Sequence, residues 1–320
     1  MSSQPLPPRK TAAATAQSEA ILHLPLGRTL SYATYGSALP TAPTILYFHG
    51  FPASHAEAAL YHLAALHRGV RIVAPDRPGM GASSFAADRA IADWPRDALA
   101  LAEAVGARRF AVLGVSGGAP YALACAAAPE LRERLVAVGV VAGLYPASLG
   151  LAGMLPDARA LLWVAPWWTG LVRWALEWGV GAAARADDGG AALEEVLGKG
   201  MVGRPEADRR VWEEDEAGFR GCLVESVRGA VGGSAEGAAR EARLFGSDWG
   251  FGLEEVEVAG EGRRVVLWHG ALDVNSPVAM AEKAALLIGG AELRVEPEEA
   301  HASLTVHKVE EVLDTLKGFF

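Results

Sequence analysis

Residues 110–129 read Phe-Ala-Val-Leu-Gly-Val-Ser-Gly-Gly-Ala-Pro-Tyr-Ala-Leu-Ala-Cys-Ala-Ala-Ala-Pro. Phe110 to Val115 is an unbroken apolar run of strand length. Such a run is expected of a parallel strand covered on both faces. Gly117 to Ala128 has the composition of a helix and stops at Pro129. Between them, Gly114-Val115-Ser116-Gly117-Gly118 fits the pattern G-x-S-x-G. A serine at a strand-to-helix junction sits on a tight turn. Glycines two before and two after it remove the side chains that would collide there. The turn lifts the Ser116 hydroxyl above the sheet edge and leaves the Gly117 N–H at a helix amino end, free to face developing negative charge. The competing reading is a glycine-rich packing turn with an incidental serine.

The pattern extends in both directions. Thr44 to Phe48 (TILYF), Val70 to Ala74 (VRIVA) and Leu135 to Ala142 (LVAVGVVA) are further buried-strand runs. Helical spacing fills Ala56 to Leu66 and Ile91 to Val105. Two short strands, Ile21 to Leu24 and Leu30 to Tyr35, precede them. Strand–helix alternation at this spacing predicts a parallel sheet flanked by helices. The alternation stops near Pro146 and resumes with Arg264 to Trp268 (RVVLW), a helix from about Pro277, a strand Glu292 to Val295 and a last helix Ser303 to Phe319. The expected organisation is a disordered tail over 1–19, a sheet domain over 20–145 and 251–320, and a helical insertion over 146–250. An insertion there sits at the carboxyl edge of the strands, where ligands bind in open α/β sheets.

A serine hydroxyl needs a base, itself oriented by an acid. After a G-x-S-x-G serine these come later in the chain, at successive strand ends. Asp273 follows strand 264–268, and His301 follows strand 292–295. His301 is the candidate base and Asp273 the candidate acid. The competing readings are a loop hydrogen bond for Asp273 and a surface position for His301 beside Glu298 and Glu299. His269 reads as a packed residue, His307 lies in the last helix, and His23, His55, His62 and His67 precede the serine. Asp76 also precedes it and reads as structural. In His49-Gly50-Phe51-Pro52, Gly50 lets the chain turn towards the serine. The Phe51 N–H is the candidate second oxyanion donor beside Gly117, and His49 is expected to brace the loop.

These pieces resemble the α/β-hydrolase family over roughly 20–145 and 260–320. The resemblance rests on His49-Gly50-Phe51-Pro52, Asp76 to Ser83 (DRPGMGAS), the motif at Ser116, Gly270 to Pro277 (GALDVNSP) and the late His301. It implies an α/β fold with a mostly parallel eight-stranded sheet flanked by helices and a helical cap inserted after the sixth strand. It also implies a nucleophile–acid–base triad, with Ser116, Asp273 and His301 in those roles, and no cofactor. Haloalkane dehalogenases and epoxide hydrolases share the layout but carry Asp as nucleophile. Ser116 implies ester-type or C–C hydrolysis instead. The expected function is cleavage of an ester-type or related acyl bond in a small, apolar substrate. The alternative is a non-catalytic ligand-binding or interaction protein of the same fold, and lyase or perhydrolase use of the triad stays open. The insertion matches no cap that fixes a substrate.

Five of the nine tryptophans fall within 163–178. Trp167, Leu171, Trp174 and Trp178 share one face of a helix expected to begin at Pro166. One reading makes Trp163, Trp167 and Trp174 an aromatic wall over the substrate. The other packs that face on the sheet domain or on a second protomer. A membrane-surface reading lacks the Lys/Arg-rich polar face. Gly229, Gly232, Gly233 and Gly237 suggest a flexible segment or an ordinary surface loop.

Composition narrows the partners. The chain has 320 residues, 51% of them hydrophobic, and a formal charge of −9. That is enough apolar material for a large core, and the acidic balance disfavours nucleic acid. Two cysteines, Cys125 and Cys222, exclude a disulfide scaffold or four-cysteine zinc module, and no metal site is expected. They fit a reducing compartment, so a cytoplasmic location is expected. Thr11 to Glu19 lacks the apolar stretch of a secretory signal, while its lack of acids before Glu19 leaves organelle import as the alternative. No membrane span is expected, because Asp157, Arg159, Arg173 and Glu177 interrupt the longest apolar region. The partner expected is a small-molecule substrate, and the oligomeric state is open.

Overall fold

The computed structural model describes residues 16–256 and 264–320. Eight strands form one sheet: β1 Ser18–His23, β2 Thr29–Gly36, β3 Thr44–Phe48, β4 Arg71–Pro75, β5 Phe110–Val115, β6 Leu135–Val141, β7 Arg264–Gly270 and β8 Glu292–Glu296. Their order is β1-β2-β4-β3-β5-β6-β7-β8. The β1–β2 and β2–β4 pairs are antiparallel, and every other pair is parallel.

The helices are α1 His62–Arg68, α2 Trp94–Ala104, α3 Ala119–Ala127, α4 Pro156–Val164, α5 Thr169–Leu176, α6 Ala182–Ala184, α7 Ala191–Met201, α8 Glu206–Glu213, α9 Phe219–Val231, α10 Glu236–Phe245, α11 Val278–Ile288, α12 His301–His307 and α13 Val309–Lys317. Those from α4 to α10 form one helical insertion, termed the cap, between β6 and β7.

The central strands are apolar throughout because both faces are covered. Strand alternation sends Leu46, Phe48, Val112, Val138 and Leu267 into one core with residues of α2, α3 and α11. It sends Ile45, Tyr47, Leu113, Ala137 and Trp268 into a second core with α1 and α13. Every residue of β3, β5 and β6 is buried. α3 is nearly all small or apolar, so it packs directly over β5 and β6.

Three expectations need correction. The chain pairs before residue 20: Ser18 and Glu19 already face Thr34 and Ala33 across β1–β2, and the Gln17 N–H bonds Thr34 O at 2.9 Å. Residues 1–15 of the expected tail lie outside the described residues. The last helix is two, α12 and α13, broken at Lys308. The break lets α13 lay Val312, Leu313 and Leu316 against the sheet while α12 carries His301.

Nor is the glycine-rich stretch of the cap a loose segment. Gly229 lies inside α9 and Gly237 inside α10. A methyl group on Gly229 would collide with Ser54 Oγ, and one on Gly237 with Gly79 O. The Gly81 N–H also bonds Gly229 O at 3.0 Å. These glycines are where cap helices touch the loops that follow β3 and β4.

Gly237→Ala is therefore expected to lower unfolding stability by about 1–3 kcal/mol, the usual cost of overpacking. Urea denaturation of both proteins measures this, and an unchanged midpoint would contradict the close contact.

Candidate active site

The strand-to-helix turn after β5 is as tight as its glycines imply. Ser116 has φ +50, in the left-handed region that non-glycine residues seldom adopt. A methyl group on Gly114 would lie 2.5 Å from Gly118 O, and one on Gly118 would collide with Phe48 O. Any side chain at 114 or 118 would unmake the turn. Ser116 stands half-buried at its apex.

The two distant partners meet it there. His301 Nε2 lies 2.9 Å from Ser116 Oγ, and His301 Nδ1 lies 2.7 Å from Asp273 Oδ2. Asp273 is held in turn: its Oδ1 accepts the N–H groups of Asn275 at 2.8 Å and Ser276 at 3.0 Å. The chain thus brings together 116, 273 and 301 across 185 positions. Burial opposes charge on His301, but the charge and hydrogen bond of Asp273 outweigh it, and its proton affinity lies above the ordinary value of 6.5. Burial likewise opposes charge on Asp273. The facing His301 overcomes this and holds the carboxyl below 3.8.

The loop after β3 lies over the serine. A methyl group on Gly117 would sit 2.8 Å from Phe51 Cβ, and one on Gly50 would sit 3.5 Å from Ser116 Cβ. Among the described residues, no loop or cap hydrogen bond engages the N–H of Phe51 or Gly117. The reason lies underneath. Arg77, fully buried, donates through its guanidinium to His49 O and, at 2.8 Å, to Gly50 O. In a trans peptide unit the C=O and N–H point in opposite directions. Gripping Gly50 O from one side therefore turns the Phe51 N–H to the other. Glu57 Oε1 fixes the preceding unit by accepting the Gly50 N–H at 2.9 Å and the Tyr47 hydroxyl at 2.7 Å.

Arg77 is itself paired with Glu241 of α10 through two bonds, Nε–Oε1 at 2.6 Å and Nη2–Oε2 at 2.7 Å. The Tyr121 hydroxyl donates to Glu241 Oε1 at 2.8 Å, and the guanidinium lies 4.7 Å from the Tyr121 ring centre. A cap residue therefore anchors the loop beside the serine. Nothing in the sequence links positions 77 and 241, or 57 and 50. The only available signal was the Asp76-Arg77-Pro78-Gly79 motif, which does not say what Arg77 holds.

The serine and His301 open on a cavity of about 550 Å3, the size of a small-molecule site. Its walls are mostly apolar, with Phe51, Leu144, Met154, Leu161, Phe219 and Phe245 among them. The aromatic wall expected from the cap is not there. Trp163, Trp167 and Trp174 are 72%, 79% and 60% exposed and line no part of the cavity. The helix expected from Pro166 starts only at Thr169, and its inward side carries Val172 and Leu176. That turns Leu171 and Trp174 outward, while Trp167 before the helix and Trp178 in the π-helical turn after it are exposed as well. Likewise Leu161 and Leu162 of α4 face the cavity, and Trp163 faces away.

The other polar residues act as supports. His49 contacts the Arg77 N–H through Nε2, and burial keeps its proton affinity well below normal. His269 is buried, its Nε2 2.6 Å from Ser276 O. Asp76 accepts from Ser31, at 2.8 Å, and from the His55 backbone, at 2.7 Å. Among the described residues, no three His, Cys, Asp or Glu side chains gather to hold a metal ion, and no helix is long and apolar enough to cross a membrane.

The model of the alpha/beta hydrolase family matches residues 45–315. The chain belongs to that family. Several solved structures share its architecture at low identity. Bromoperoxidase from Bacillus anthracis is 18% identical with a TM-score of 0.66, over 93% of this chain and 98% of that one. The enol-lactonase from Burkholderia xenovorans LB400 is 18% identical with a TM-score of 0.62, over 94% and 99%. An esterase from Exiguobacterium antarcticum is 17% identical with a TM-score of 0.60, over 94% and 99%. At these identities the likeness is one of fold. No curated protein matches the chain.

Removing one partner of a buried ion pair strands the other. Arg77→Met is expected to cost about 3–5 kcal/mol of stability, and adding Glu241→Leu to recover part of it. Equilibrium unfolding of the single and double variants checks this; a double variant less stable than Arg77→Met would contradict it.

Proposed function

We propose that the protein is a serine hydrolase that cleaves an ester-type or related acyl bond in a small, largely apolar substrate. The observation that carries this reading is the continuous hydrogen-bonded relay Ser116–His301–Asp273, at 2.9 and 2.7 Å, opening on the apolar cavity.

In this reading Ser116 Oγ attacks the substrate carbonyl and His301 Nε2 takes its proton. Asp273 accepts the Nδ1–H, fixing the tautomer that leaves Nε2 able to act as base, and stabilises the imidazolium that forms. The N–H groups of Phe51 and Gly117 receive the oxyanion of the tetrahedral intermediate, each donor being worth on the order of 3 kcal/mol. Its collapse expels the alcohol, protonated by His301, and leaves an acyl-enzyme. Water activated by His301 then releases the acid. The relay needs no cofactor. The neighbours named as an esterase and an enol-lactonase support an acyl substrate, and the apolar walls support a substrate of that character.

Ser116→Ala is expected to lower kcat/KM for p-nitrophenyl esters by about a thousandfold or more and to abolish labelling by a fluorophosphonate probe. Labelling that survives the substitution, or a wild type that neither labels nor turns over any ester or lactone, would instead favour a binding protein of this fold.

The neutral imidazole is the base, and its pKa is raised. At a given pH a larger fraction is therefore protonated and inactive. The acid limb of kcat/KM should have its midpoint above 6.5, the ordinary histidine value. A profile flat from about pH 5 to 8 would argue against a histidine base.

A further inference from the structure

His301 is the first residue of α12, a short helix whose opening N–H groups need acceptors. The residue before it, Ala300, has only a methyl group and cannot supply one. The acceptor comes instead from the cap. Asp208 of α8, only 1% exposed, presents Oδ1 to the Ala302 N–H at 2.8 Å and the Ser303 N–H at 3.0 Å. Ser303 Oγ completes the turn by accepting the Ala300 N–H at 2.8 Å. Beside this contact Val211 of α8 packs with Phe219 and Ala302. The polar and apolar contacts dock α8 against the turn that carries His301.

We propose that Asp208 is a positioning residue for the reaction: by closing the first turn of α12 from the cap, it holds His301 against Ser116. The proposal rests on the serine-hydrolase reading of the same site. Its logic is that of a helix cap supplied in trans by a distant part of the chain. The imidazole must keep two bonds at once, to Ser116 and to Asp273, so its backbone has little room to drift. A frayed first turn would release that backbone. A misplacement of about 1 Å at a reacting group costs up to a hundredfold in rate.

The carboxylate has a second effect. A helix amino end is electropositive and disfavours an imidazolium, and the Asp208 charge opposes this. The charged and titratable groups facing His301 are Asp273 and His269 from β7 and its loop, Asp208 and Arg204 from the cap, and Glu57 from the segment after β3. Asp273 and Asp208 favour the protonated ring, and Arg204 opposes it. Loss of the Asp208 charge therefore lowers the proton affinity of His301.

The test compares kcat, KM and pH profiles for p-nitrophenyl acetate in the full chain and in Asp208→Ala, Asp208→Asn and Ser116→Ala. Asp208→Ala should lose about ten- to a hundredfold in kcat with KM little changed. Asp208→Asn keeps an oxygen for the two N–H groups. It should retain most of kcat, while the acid limb of kcat/KM moves to lower pH. Wild-type kcat and an unmoved acid limb in both Asp208 variants would overturn the proposal, as would an effect of Asp208→Ala on KM alone. If Asp208→Ala does not fold, as judged by circular dichroism, Asp208→Asn decides: a shifted limb supports the role and an unshifted one overturns it. Ser116→Ala separates the two levels. Full activity in that variant overturns the hydrolase reading itself, whereas an inactive Ser116→Ala beside unaltered Asp208 variants removes only the role of Asp208.

Discussion

The reversal of the chain at Ser116 is the constraint around which the molecule is arranged. A backbone at φ +50 on a residue with a side chain is unfavourable, so the surroundings must over-determine it. They do so from two sides. β5 is locked between β3 and β6 in the sheet, and α3 is buried along nearly its whole length. With both ends fixed, the intervening residues have no alternative path, and Gly114 and Gly118 clear the space the reversal needs. The serine hydroxyl stands at the sheet edge because the core leaves it nowhere else to be.

The cap is joined to this framework through close and polar contacts beside the site. Gly229 brings α9 against the Ser54 side chain, and Gly237 brings α10 against the Gly79 backbone. Glu241 reaches Arg77, which grips the loop carrying Phe51. Asp208 reaches the first turn of α12. Through Arg77 the Glu241 connection reaches the residue before Phe51, and the Asp208 connection reaches the residue after His301. The cap is thus a structural member of the site as well as a wall of its cavity.

Much of the sheet was legible in the sequence because parallel strands buried on both faces are uniformly apolar. TILYF and FAVLGV match β3 and β5 residue for residue. That 116, 273 and 301 would meet was legible because each residue follows a readable strand. What escaped has a common cause. Arg77–Glu241 spans 164 positions and Asp208–Ala302 spans 94, and no local pattern encodes a pairing at such range. The glycines of α9 and α10 were misread because close approach between backbones and flexibility favour the same residue. The tryptophan stripe was misjudged because the helix starts at Thr169, past Trp167, and because periodicity says that residues share a face and not which way the face points.

The outward tryptophans have a consequence for spectroscopy. Trp163, Trp167, Trp168, Trp174 and Trp178 are all more than half exposed, Trp212 is partly buried, and Trp94, Trp249 and Trp268 lie in the interior. None of the nine borders the cavity. Intrinsic fluorescence of the native protein therefore comes largely from wet indoles on one outer surface. An aqueous quencher such as iodide will extinguish that red-shifted fraction and spare a blue-shifted remainder from the three interior rings. A molecule seated over Ser116 will leave the spectrum almost untouched, so its occupancy must be followed by some other signal.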